Sequence, residues 1–129
     1  MSLAGCTPSR HADIFYDRDY AQIRAMEERA VNACRVQPPR PFTTDGCSMF
    51  PDGSWGECCV EHDVAYWCGG SAQARQAADL RLQACVAERG YPRMSSFVYM
   101  GVRAGGHPWW PFSWRWGYGW DWPRTYQSD

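Results

Sequence analysis

Between residues 13 and 36, apolar side chains recur at steps of three and four, at Ile23, Met26, Ala30 and Cys34, with arginine and glutamate between them. That spacing predicts a one-faced amphipathic helix ending near Val36. Pro38, Pro39 and Pro41 then remove backbone donors and forbid helix, so the stretch from Gln37 to about Gly56 reads as a long ordered loop whose polar backbone must find partners elsewhere. From Gly56 to Trp67 there is neither proline nor interior glycine, and Cys58, His62 and Tyr66 recur every four residues on one predicted helical face. Gly69-Gly70 stops this helix. Ser71 offers an N-cap for a third helix that runs to about Arg89 and is closed by Gly90 and Pro92. On it Asp79, Leu82 and Val86 share one stripe, and an aspartate in an apolar stripe needs partners, because a buried carboxylate without them is costly. Beyond Tyr91 the helical period fades. There Trp114, Trp116, Tyr118, Trp120 and Trp122 alternate with Arg115, Gly117, Gly119 and Asp121, an extended period-two pattern weakened by its glycines.

Length and charge narrow the picture. A chain of 129 residues, 45% hydrophobic, makes one domain with a modest core. Its 13 cationic side chains are all arginine and stand against 14 Asp plus Glu, so no positive field is available to hold a phosphate backbone and nucleic acid is not an expected partner. Apolar residues nowhere run to the roughly 18 that a membrane-spanning helix needs. Seven cysteines, most of them between Cys34 and Cys85, indicate a stapled domain from an oxidising compartment. The odd one is Cys6: Leu3-Ala4-Gly5-Cys6 has the form of a bacterial lipobox, whose cysteine becomes the lipidated first residue after signal cleavage, and the rival reading is a free thiol on a flexible terminus. The expected organisation is a flexible N-terminus over 1–12, a helical domain over 13–106, and a Trp-rich extension over 107–129 that packs on or flanks the domain. The expected location is secreted or periplasmic, with a lipid anchor through Cys6.

The chemistry concentrates in Asp45-Gly46-Cys47-Ser48-Met49-Phe50-Pro51-Asp52-Gly53, in Cys58-Cys59-Val60-Glu61-His62-Asp63-Val64-Ala65-Tyr66, and in Asp79 and Cys85. Adjacent helical residues point about 100° apart, so His62 and Asp63 cannot bond each other well but can border the same cleft. An imidazole near neutral pKa is the usual general base, and Asp79 on the next helix can hold its far nitrogen and stabilise the imidazolium. Asp63 and Asp45, with neighbouring loop carbonyls, are the hard oxygen ligands that calcium prefers.

The pattern C-C-x-x-H-D-x-x-Y, followed by an aspartate six residues before a cysteine, resembles the secreted phospholipase A2 superfamily, and the loop D-G-C-S-x-x-P-D is most similar to its short prokaryotic branch. The resemblance spans about residues 44 to 90. It implies a mainly α, disulfide-stapled fold in which two core helices carry the site beside a long calcium-type loop. It further implies calcium-dependent hydrolysis of the sn-2 acyl ester of a glycerophospholipid at a membrane surface. On it His62 is the catalytic histidine, Asp79 orients it, Tyr66 supports it, and Asp63, Asp45 and the Gly46 carbonyl bind calcium. Ser48 and Phe50 fall where animal members offer further loop carbonyls. The family's bridges correspond to Cys47–Cys59 and Cys58–Cys85, which leaves Cys34 with Cys68. A further bridge of many members would join the positions of Ala65 and Ala78, and both of its cysteines are absent together. Phe50 and Pro51 replace glycines of the animal calcium loop, and Trp67 and the aromatic extension have no counterpart.

The same residues admit rival readings. Cys58, Cys59, His62 and Cys68 are also zinc-ligand types, although no paired C-x-x-C is present. Asp52 reads as a turn former, and His11 and His107 as loop or solvated histidines. The tryptophans read as a lipid-docking surface, as a lid enlarging a small core, or as a platform for a partner or glycan. In function, the rivals to the phospholipase are a catalytically inactive lipid-binding or envelope interaction lipoprotein and an esterase acting on another envelope ester.

Overall fold

The computed structural model describes residues 20–44 and 56–128, and within the first helix the side chains of Ala25 and of Glu28 onward. Four helices follow one another: α1 (Tyr20–Ala33), α2 (Gly56–Cys68), α3 (Ala72–Glu88) and α4 (Pro92–Gly105). No strand occurs among the described residues. Cys34–Cys68 joins the chain just after α1 to the end of α2, and Cys58–Cys85 joins α2 to α3, with Cα atoms 5.3 and 5.7 Å apart. The protein is thus a mainly helical, disulfide-stapled domain. Cys59 is also disulfide-bonded, while the expected pairing with Cys47 lies outside the described residues.

The expected elements hold with three differences. Helix α1 ends at Ala33, three residues before Val36, because Cys34 turns towards its bridge with Cys68. The segment beyond Tyr91 is a helix, α4, where fading periodicity argued for none. Its buried face carries Ser95 and Val98, with Val102 packed against the core, at steps of three and four; Phe97 and Met100 lie on the outside at 68% and 67% exposure. The helical signal is nonetheless in the sequence: Met94, Phe97, Val98 and Val102 recur at steps of three and four, with Arg93, Ser96 and Arg103 away from that stripe. Thirdly, the alternating aromatics form successive turns and bends with no extended strand: Trp116 is buried, Trp114 and Trp122 are exposed, and alternate positions share no face.

Helix α2 is buried on most of its surface, with Cys58, Cys59, Val60, His62, Tyr66 and Trp67 inside, because neighbours cover it on several sides. One apolar cluster unites Cys58, Leu82, Val86 and Val98 across α2, α3 and α4, and another gathers Ala30, Phe42 and Trp67. Ser71 caps α3, its Oγ accepting from Ala74 N at 3.0 Å. The proline-rich loop obtains its bonds from outside itself: Arg40 N donates to Gly119 O, and Trp67 Nε1 donates to Arg40 O.

The segment after α4 satisfies the end of α2. Carbonyls of a helix's last turn have no partner within the helix. Here Gly117 N donates to Tyr66 O and Trp120 Nε1 to Cys68 O, while Trp116 Nε1 and Gln127 N both donate to Gly70 O, two residues past the helix. Gly69, at φ 75°, ends α2 in the left-handed region, and a Cβ there would meet the Gly117 Cα at 3.1 Å, so glycine permits both the turn and the close approach.

Candidate active site

Two helices bring the expected residues together. His62 and Tyr66 lie one turn apart on α2, with ring centroids 4.3 Å apart, and Asp79 comes from the buried stripe of α3. His62 Nε2 lies 2.6 Å from Asp79 Oδ1, and the Tyr66 hydroxyl donates to the same oxygen at 2.8 Å. Asp79 is fully buried, so its charge must be met from within the protein. Burial by itself would raise its pKa, but hydrogen bonds from His62, Tyr66 and Arg103 outweigh burial and hold the carboxyl below its ordinary value. An ionised Asp79 is an acceptor only, which assigns the proton to His62 Nε2 and leaves Nδ1 as the basic nitrogen.

Two arginines complete the network, and sequence reasoning missed both. Arg103 of α4 donates to Asp79 Oδ2 at 2.8 Å. Arg75, 2% exposed, donates through Nε to the Tyr66 hydroxyl at 3.0 Å, and its Nε stands 3.8 Å from Asp79 Oδ2. Burial works against the Arg75 charge, but the oxygens of Tyr66 and Tyr126 more than compensate and its pKa is raised. Tyr66 is pushed up by burial first and by the Asp79 charge second, so it stays a neutral phenol. One signal for Arg75 was in the sequence: it stands four residues before Asp79, in line with Ala78, Leu82 and Val86.

His62 faces a cavity of about 510 Å³ whose walls include Ala78, Leu82 and Trp116, with Glu61 and Arg81 among the polar residues. The Trp116 ring meets Tyr66 edge to face at 4.9 Å. Half-buried Asp63 follows His62 on α2, and its Oδ2 accepts from Thr44 Oγ1 at 2.6 Å, so the residue before Asp45 is tied to that carboxylate. Asp45, Gly46, Ser48 and Phe50, like Asp52, His11 and the lipobox-like stretch with Cys6, lie outside the described residues. Among the described residues no group of three or more His, Cys, Asp or Glu side chains is placed to hold a metal ion. The zinc reading loses its ligands, since Cys58, Cys59 and Cys68 are disulfide-bonded and His62 is engaged by Asp79. His107 is exposed and remote in role: its Nδ1 accepts from Trp109 N at 3.1 Å.

These features define a stapled helical domain with a buried His–Asp–Tyr–Arg network opening on a largely apolar cavity. Comparison of the chain with protein-family models, with curated proteins and with solved structures finds no match.

Proposed function

We propose that this protein is a phospholipase A2-like carboxylic ester hydrolase that cleaves the sn-2 acyl ester of a glycerophospholipid with calcium as cofactor. The observation that carries the reading is the His62–Asp79 pair at 2.6 Å, buttressed by Tyr66 and facing an apolar cavity that suits an acyl chain. His62 Nδ1 takes a proton from water as the water oxygen attacks the ester carbonyl. Asp79 stabilises the imidazolium so formed. The proton then passes to the departing glycerol oxygen, releasing a fatty acid and a lysophospholipid, with no covalent acyl-enzyme.

Asp63, Asp45 and the Gly46 carbonyl, with the Ser48 and Phe50 carbonyls, would hold calcium, and the ion would supply Lewis-acid polarisation of the ester carbonyl. The fit rests on donor chemistry: Asp63 is a hard oxygen donor, and its bond to Thr44 brings the start of the expected loop to it.

A phospholipid surface as partner is supported by the outside of the molecule. Arg93, Phe97, Met100 and Ala104 share the exposed face of α4. Trp110 donates its Nε1 to Ala104 O, and the exposed rings of Trp110, Phe112 and Trp114 stack at 6.2 and 4.7 Å, extending that face. Between Arg89 and Trp120 the chain has no acidic residue. No described helix is long and apolar enough to cross a membrane, and the disulfides suit a secreted or periplasmic location.

The test is fatty-acid release from phospholipid vesicles in calcium, for the wild type and for His62→Gln and Asp63→Asn. Release abolished by either substitution supports the hydrolase. Vesicle binding without release by the wild type would instead favour a lipid-binding module on the same scaffold.

A further inference from the structure

We propose that Tyr126, in the aromatic segment after α4, is a positioning residue for the His62–Asp79 pair and acts through Arg75; the proposal rests on the hydrolytic reading above. The buried Arg75 guanidinium distributes four hydrogen bonds. Nε donates to the Tyr66 hydroxyl at 3.0 Å, Nη1 to the Tyr126 hydroxyl at 2.8 Å, and Nη2 to the carbonyls of Val102 and Arg103 at 2.9 and 2.6 Å. A guanidinium is a rigid planar fork, so its orientation is set by all its acceptors at once. Its ion pairing with Asp79 is secondary, since Oδ2 is 3.8 Å from Arg75 but 2.8 Å from Arg103.

What Arg75 does set is the place of the Tyr66 hydroxyl, which accepts from Nε and donates to the same Asp79 oxygen that receives His62. An unbroken relay therefore joins Tyr126 to the imidazole. Its far end is anchored, because Gln127 N donates to Gly70 O at 2.9 Å and the Tyr126 ring meets His107 at 5.8 Å. Loss of the Tyr126 hydroxyl leaves one arm of a buried fork without its acceptor. The fork then tilts towards another, carrying Nε and the Tyr66 hydroxyl with it. Misplacement of reacting groups by about 1 Å costs on the order of 100-fold in rate.

Tyr126→Phe in the full chain tests this, since it keeps the half-buried ring and removes one oxygen. The first readout needs no turnover: the downfield proton NMR resonance of His62 Nε2–H, assigned by its loss in His62→Gln. The second is kcat against KM for fatty-acid release. We expect the resonance to move in Tyr126→Phe and kcat to fall by about tenfold with KM within about twofold. Trp120→Phe is the control, because it removes the bond to Cys68 O, another tie of the same segment, without touching Arg75. It should lower the melting temperature and leave resonance and kcat in place. An unchanged resonance in Tyr126→Phe, or an equal change in Trp120→Phe, overturns the proposal. Absence of fatty-acid release by the wild type would defeat the hydrolytic reading, and the resonance would still decide the relay.

Discussion

Arg103 Nη1 and Asp79 Oδ2 lie 2.8 Å apart, on the carboxylate oxygen that His62 and Tyr66 leave open. The carboxylate is fully buried, whereas the Arg103 side chain is a third exposed. This bond therefore sits between a surface ion pair, worth little, and a buried one, whose rupture is expensive. Arg103→Met should destabilise the protein by about 1 to 2 kcal/mol in urea unfolding. Arg29→Met, which breaks the exposed pair with Glu61, should cost less than about 0.5 kcal/mol. Equal costs for the two would show that Arg103 gains nothing from its buried partner.

Asp79 makes stability depend on acid. Its folded pKa lies below the ordinary value, so its contribution is complete above about pH 4 and is lost as pH falls through the folded value. Asp79→Asn should lower stability at neutral pH by about 3 to 5 kcal/mol, since Arg75 and Arg103 lose their buried counter-charge. Its unfolding free energy should also decline less than that of the wild type on acidification below pH 4. Parallel acid profiles for the two proteins would contradict the assignment.

Tyr66 acts at the opposite end of the scale. Its folded pKa is raised, so its contribution is complete below about pH 10 and is lost as pH climbs above that value. Tyr66→Phe should remove this part of the alkaline decline, read from chemical denaturation in steps between pH 8 and 11.

Gly106 is held by contact with the site. A Cβ there would lie 2.6 Å from the Tyr66 hydroxyl and 2.8 Å from Val102 O, one rigid and the other backbone. Gly106→Ala should cost about 2 kcal/mol or more and disturb the Tyr66–Asp79 bond. Gly101, exposed within α4, has nothing within 4 Å of its added Cβ, and Gly101→Ala should stabilise by up to about 1 kcal/mol. Thermal unfolding of the pair checks the contrast in sign.

The outer aromatic face bears on the proposed membrane partner. Phe97→Ser and Phe112→Ser should each weaken vesicle binding by about tenfold, the worth of one large apolar side chain taken from water. Both positions are exposed, so folding stability should hardly change. Sedimentation with vesicles and thermal unfolding together separate the two effects.

Much of this arrangement was legible in the chain itself. Cys58, His62 and Tyr66 at steps of four place a histidine and a phenol on one face of α2, and Asp79 in the stripe of Leu82 and Val86 announces a buried acid in need of partners. The Ser71 cap and the Gly69-Gly70 stop follow from local backbone chemistry, and both stand where expected. Helix α4 was legible too, since Met94, Phe97, Val98 and Val102 recur at helical steps; what the pattern does not give is its facing, because Phe97 and Met100 turn outward and Ser95 inward. The aromatic alternation misled because indole N–H groups bond to Cys68 O at the end of α2 and to Gly70 O just beyond it, so these rings follow their acceptors and not a pleat.

What the sequence by itself determined are the features read within a turn or two of helix: where α2 and α3 run, and which acid, imidazole and phenol lie on their inward stripes. Only the tertiary structure decided that Arg75 and Arg103 turn inward to Asp79, and that a distant aromatic segment closes the end of α2 and reaches Arg75 through Tyr126. Periodicity is a short-range property: it aligns Arg75 with Ala78 and Leu82 but names no partner for it. Its partner is chosen by acceptors that arrive from other elements once the chain has packed.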